Sequence, residues 1–164
     1  MRMFMLAMLM AVAAQAVEPE LFCHAQVIEQ SWQLLKSARY GIGHQEEAAF
    51  VVEQPDGALS FVVWKPTAEA MATHFTGVLP AHIVAIVHTH PMGQSVPSSD
   101  DRDTARRLGI PVYVLVRNGI TRTLGDSHET LVAGDWNPEA GRPALARCGV
   151  IQSRENGDGS RAAR

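Results

Sequence analysis

Residues 88–101, His-Thr-His-Pro-Met-Gly-Gln-Ser-Val-Pro-Ser-Ser-Asp-Asp, gather two imidazoles and a nearby carboxylate within fourteen positions. His88 and His90 are separated by one residue, and seven residues lie between His90 and the Ser98-x-x-Asp101 unit. In an extended strand, residues two apart project from the same face, so the two imidazoles point the same way. Two histidines and one aspartate can fill three positions around a zinc ion and leave the fourth to water, the arrangement of a catalytic zinc site. A His-x-His pair alone is as well explained by ordinary histidines at a strand end. Asp101 on a following helix makes His88, His90 and Asp101 a candidate ligand set.

Ser98 and Asp101 also carry a purely structural explanation. Ser-x-x-Asp at a helix start is a capping pattern, and Asp100, Asp101 and Asp103 suit the positive end of a helix dipole. The two readings are compatible. A helix beginning at Ser98 can aim its first turn at the strand ends, so that Asp101 reaches the metal while Ser98 faces the open position. A catalytic zinc further needs a group that takes a proton from its water and passes it to the leaving amine. Glu46 and Glu47 are the candidates. Glu47 is preferred because an unbroken apolar run follows it directly and should fix its position; Glu46 is the second choice.

The elements that must hold these groups are legible. Apolar residues recur at helical spacing over residues 25–40, and Gly41 and Gly43 end that helix. Residues 48–52 and 58–64 read as two strands of a hairpin around Gln54-Pro55-Asp56-Gly57. Residues 66–80 form an irregular crossing segment. Residues 83–87 are apolar and mostly β-branched, which predicts a buried central strand that delivers the two histidines at its carboxyl end. Pro91 turns the chain away and leaves space before the imidazoles. A helix over 98–108, a buried strand over 111–116, a turn at Asn118-Gly119 and a strand over 121–124 complete a mixed α/β layer structure.

The chain has 164 residues, 46% of them hydrophobic, enough for one globular domain with a real core. A formal charge of −3 with scattered arginines gives no electrostatic case for nucleic acid. Arg2, the apolar run that follows it and Ala14-Gln15-Ala16 read as a signal peptide over residues 1–16, too short to span a bilayer comfortably. The expected product is a domain over residues 17–150 with a disordered tail at 151–164, secreted or periplasmic and without stable membrane insertion. Cys23 and Cys148 could form one bridge in an oxidising compartment, stabilising by roughly 2–4 kcal/mol, or could be two unrelated buried thiols.

Glu47, His88-Thr89-His90-Pro91, Ser98 and Asp101, in this order and spacing, resemble the JAMM (MPN+, JAB) zinc metalloprotease family in its secreted prokaryotic type. The likeness runs from the first helix to Leu124. In that family a small residue stands three places after the glutamate; Glu47 would put Phe50 there and Glu46 would put Ala49 there. The resemblance implies a cytidine-deaminase-like mixed β-sheet flanked by helices, Zn2+ held by His88, His90 and Asp101, and Glu47 as general base and then acid. Ser98 would hydrogen-bond the oxyanion. The implied activity is hydrolysis of a peptide or isopeptide amide bond in a peptide or protein substrate, such as a crosslink or a cell-wall stem peptide.

A non-catalytic binding or scaffold module of the same fold is the alternative, although a scaffold has no need of all three ligands. A RadC-type relative linked to DNA conflicts with the acidic balance and the export signal. His24, His44, His74, His82 and His128 follow no ligand spacing and read as surface or loop residues. Trp32 and Trp64 read as core, and Trp136 as an anchor for the C-terminal segment. Asp126, Ser127 and His128 lack any nucleophile turn and are too close in sequence to converge as a triad.

Overall fold

A computed structural model describes residues 20–42, 44–65 and 73–140. The leader expected at residues 1–16, the tail at 151–164 and Cys148 lie outside the described residues. Cys23 is disulfide-bonded. Among the described residues no helix is long and apolar enough to cross a membrane.

The elements are α1 (Ala25–Ser37), β1 (Ala48–Glu53), β2 (Leu59–Val63), β3 (Ile83–Thr89), α2 (Ser99–Leu108), β4 (Val112–Val116), β5 (Gly119–Leu124) and β6 (Ser127–Ala133). The strands form one sheet in the order β2-β1-β3-β4-β5-β6. Only β3 and β4, joined through α2, run parallel; every other neighbouring pair is antiparallel. This is the expected mixed sheet of α/β class, with two α-helices among the described residues, consistent with a JAB-domain fold.

Alternation along the strands sorts the core into two parts. Ala49, Val51, Ala85, Val87, Tyr113 and Leu115 face one way and pack with Val27, Trp32 and Leu35 of α1. Phe22 and Trp136 fill the same core, and the Trp136 indole donates to the Val116 carbonyl at 2.7 Å. Phe50, Val52, Ile86 and Val112 face the other way and meet Ala105 of α2.

Three details differ from the sequence expectations. Helix α1 stops at Ser37 rather than at Tyr40, because Arg39 and Tyr40 take positive φ while the Tyr40 ring settles against Trp32 at 5.7 Å. Strand β3 continues through His88 to Thr89 instead of ending at Val87. Strand β6 was not foreseen: its first four residues are exposed and polar or charged, so no apolar alternation marks it.

Candidate metal centre

His88 is the sixth residue of β3 and lies opposite Ala48 of β1 on one side and Val114 of β4 on the other. It shares its sheet face with Ile86, and hence with α2. His90 follows immediately beyond the strand, and its backbone N–H still bonds the Leu115 carbonyl at 3.3 Å. The chain then turns through Pro91–Gly93. Gly41 (φ +75°) packs against this turn so closely that a Cβ there would stand 2.6 Å from the His90 carbonyl oxygen. Only glycine fits that approach.

Helix α2 supplies the third group through both halves of a capping box. The Ser98 hydroxyl accepts from the Asp101 N–H at 3.1 Å, and Asp101 Oδ2 accepts from the Ser98 N–H at 2.7 Å and from its hydroxyl at 2.8 Å. Gly109, at φ 67°, closes the other end with its N–H on the Ala105 carbonyl. The only buried positions of α2 are Asp101 and Ala105, so the helix adds little apolar burial. Its ends and its loop fix it instead, with Arg102 clasping the Pro97 carbonyl at 2.8 Å.

The three side chains converge. Asp101 Oδ1 stands 3.0 Å from His88 Nε2, Asp101 Oδ2 stands 3.4 Å from His90 Nε2, and the imidazole centroids are 4.8 Å apart. One ligand atom from each lies within 4.8 Å of the others, a spacing that lets a single ion reach all three. His88 Nε2 is buried and has no hydrogen-bond partner, although the Asp101 carboxylate lies beside it. A buried nitrogen left this way asks for a ligand. The Nδ1 of His90 lies 2.9 Å from the Gln94 carbonyl oxygen, which fixes a proton on Nδ1 and leaves the Nε2 lone pair facing Asp101. The residues therefore fit a divalent metal.

Without metal the three groups form an ion-paired cluster. Burial opposes a charge on His88, but the carboxylates of Asp101 and then Glu46 outweigh it and raise its pKa to about 9. Burial likewise works against the Asp101 carboxylate; His88 and His90 overcome it and hold the acid below the usual carboxylate range.

A cavity of about 150 Å³ opens beside the cluster, lined by Glu46, His88 and Asp101 against an apolar floor of Trp64, Ile86 and Val112. Glu46 Oε2 is 3.9 Å from His88 Nδ1. Glu47, the preferred proton acceptor on sequence grounds, is not among the lining residues. Strand register explains this placement. Ala48 pairs with His88, so Glu46, two residues before it, shares the His88 face. Glu47 is tied by its backbone to Thr89, donating to the hydroxyl at 3.0 Å and accepting from the N–H at 2.9 Å, and has the opposite parity. Burial raises the Glu47 carboxyl pKa. Ser98 caps α2 and is not among the lining residues.

Two of the titratable lining residues carried no site signal in the sequence. His74, read as a loop residue, lines the cavity, and Asp100, read only as a dipole partner, does so too. Phe75, beside His74, holds that segment by ring contacts to Phe50 at 4.8 Å and Trp64 at 5.7 Å. Trp64 thus serves both core and cavity. Asp126 pairs with Arg106, and Ser127 and His128 open the exposed β6, so no triad forms there.

A family model for prokaryotic homologs of the JAB domain matches residues 42–129, just over half of the chain and the part that holds every group of the metal centre. The chain belongs to this family, of JAMM/MPN type. No curated protein and no solved structure gives a significant match. Membership in the JAB family is consistent with a metal-dependent hydrolase, and His88, His90 and Asp101 of this JAB domain can hold a metal ion.

Proposed function

We propose that this JAB domain is a zinc-dependent peptidase or isopeptidase that cleaves an amide bond in a peptide or protein substrate after export. The observation that carries the reading is the approach of Asp101 to both Nε2 atoms with the Glu46 carboxylate on the same side of the sheet. Two nitrogens and a carboxylate oxygen suit zinc better than calcium or magnesium, which prefer all-oxygen sites.

His88, His90 and Asp101 would hold the zinc, which would supply Lewis acidity toward the substrate carbonyl and the attacking water. Glu46 Oε2 takes the proton from that water and returns it to the amine nitrogen as the carbon–nitrogen bond breaks. Ser98 has two tasks. Its cap orients Asp101, and its hydroxyl, which donates to Asp101 Oδ2 at 2.8 Å, would rotate off that oxygen to donate to the developing oxyanion. The Gln94 carbonyl holds His90 in the tautomer that binds metal. Export is supported by the apolar start after Arg2 and by the disulfide at Cys23, a bond suited to an oxidising compartment.

The test is a screen of peptide and isopeptide substrates, cell-wall stem peptides included, with zinc-loaded protein. Chelator-sensitive cleavage that is lost in Glu46→Gln supports the reading. Metal binding without cleavage of any member would leave a scaffold module instead.

A further inference from the structure

We infer that Asp100 selects substrates bearing a primary ammonium group on a hydrocarbon stem close to the scissile amide. This rests on the hydrolase reading and deepens it. Asp100 and Thr104 stand one turn apart on α2 and both line the cavity, while Asp101 and Ala105, the next residues along, turn inward and are buried. The α2 wall of the cavity is therefore a ridge of Asp100 and Thr104. Thr73, His74, Trp64, Ile86 and Val112 also line the cavity.

Three carboxylates line this space, and two of them have work. Asp101 faces the imidazoles, and Glu46 stands beside His88. Asp100 has neither a hydrogen bond nor an ion pair among the described residues, unlike Asp103 on the same helix, which is paired with Arg106 at 2.9 Å. A role at the helix dipole alone would need no particular facing; Asp100 faces the cavity that holds the metal ligands. No lysine or arginine lines the cavity among the described residues.

A negative group at the mouth of a small cleft with low-dielectric walls repels a substrate carboxylate and concentrates a cation. The apolar floor suits a methylene stem, and long amines lay such stems on apolar surface while keeping the charged end in contact with polar groups. Lysine-like residues have this form, whereas a terminal ammonium, bonded directly to Cα, carries the charge without the stem. Free-carboxylate substrates that would place their charge beside Asp100 are disfavoured.

The test uses the zinc-loaded full chain and Nα-acetylated peptides that differ only in lysine against norleucine beside the scissile amide. The norleucine peptide with a free amino terminus forms a third arm, which separates a side-chain ammonium from a terminal one. Wild type should favour an ammonium peptide by about fivefold in kcat/KM, the upper end for a partly solvated ion pair. In Asp100→Asn that ratio should fall to near one, while Asp103→Asn should keep it. Calorimetry with Glu46→Gln should give the same preference in affinity without turnover. Equal affinities there, or a ratio that survives Asp100→Asn, would overturn the inference about Asp100. Absence of turnover for every peptide with the affinity preference intact would instead overturn the hydrolase reading.

Discussion

On the α1 side of the sheet Phe22 contacts the rings of Tyr113 and Trp136, and Trp136 contacts Trp32, whereas on the α2 side only a small cluster of Phe50, Ile86 and Val112 meets Ala105 before imidazoles and carboxylates take over. The α1 side holds the fold by apolar burial, which is non-directional and tolerant of small shifts. The α2 side positions groups by a capping box, a glycine cap, strand register and one tight glycine contact. The lesson is a division of labour. A domain of this size can place charged groups in a half-buried cavity because the opposite face supplies most of the core.

The sharpest way to break this division is to damage the α1 side. Trp136→Ala removes a fully buried ring and its hydrogen bond to Val116, and should destabilise the protein by about 3–5 kcal/mol in chemical denaturation. The fraction that remains folded should still bind metal. Loss of metal affinity in that fraction would show that the two faces are not independent.

On the α2 side, Glu46→Gln should cut peptide hydrolysis by roughly 10²–10⁴ while leaving metal content unchanged. Glu47→Gln, of opposite parity, should alter the rate far less. Equal losses in the two variants would contradict the assignment by register.

Acidity sharpens the comparison further, because the ion-paired cluster lies on one face only. Zinc must displace the proton held by His88, so apparent affinity should fall about tenfold per pH unit below about 9, as titrations across pH 6–8 would report. In metal-free protein the raised His88 stabilises the fold fully below its unfolded value of 6.5, and that support disappears as pH rises through about 9. The lowered Asp101 contributes above its unfolded value of 3.8 and loses its contribution as pH falls. Thermal melts of the apo protein should thus show a loss on each side of neutrality that zinc suppresses on the alkaline side.

Much of this was readable in the chain. The β-branched run of β3, the capping box of α2 and Gly109 were local signals, and the His-x-His and Ser-x-x-Asp spacing named the three residues that converge as candidate ligands. The choice between Glu46 and Glu47 was not local: it depends on which residue of β1 pairs with His88, and a shift of one residue reverses the side chain's face. His74 and Asp100 escaped notice because the cavity joins a segment before β3 to the first turn of α2. Strand β6 was missed because its outer position leaves Ser127, His128, Glu129 and Thr130 in solvent, with no alternation to read.

Metal content after dialysis against zinc, measured for wild type and Asp101→Ala with circular dichroism on each, tests the central claim most directly. One equivalent of zinc per wild-type chain is expected, with an affinity loss in the folded variant beyond the roughly 10–100-fold typical of outer-shell changes. No zinc in wild type, or equal binding in folded Asp101→Ala, would contradict a metal centre built from His88, His90 and Asp101.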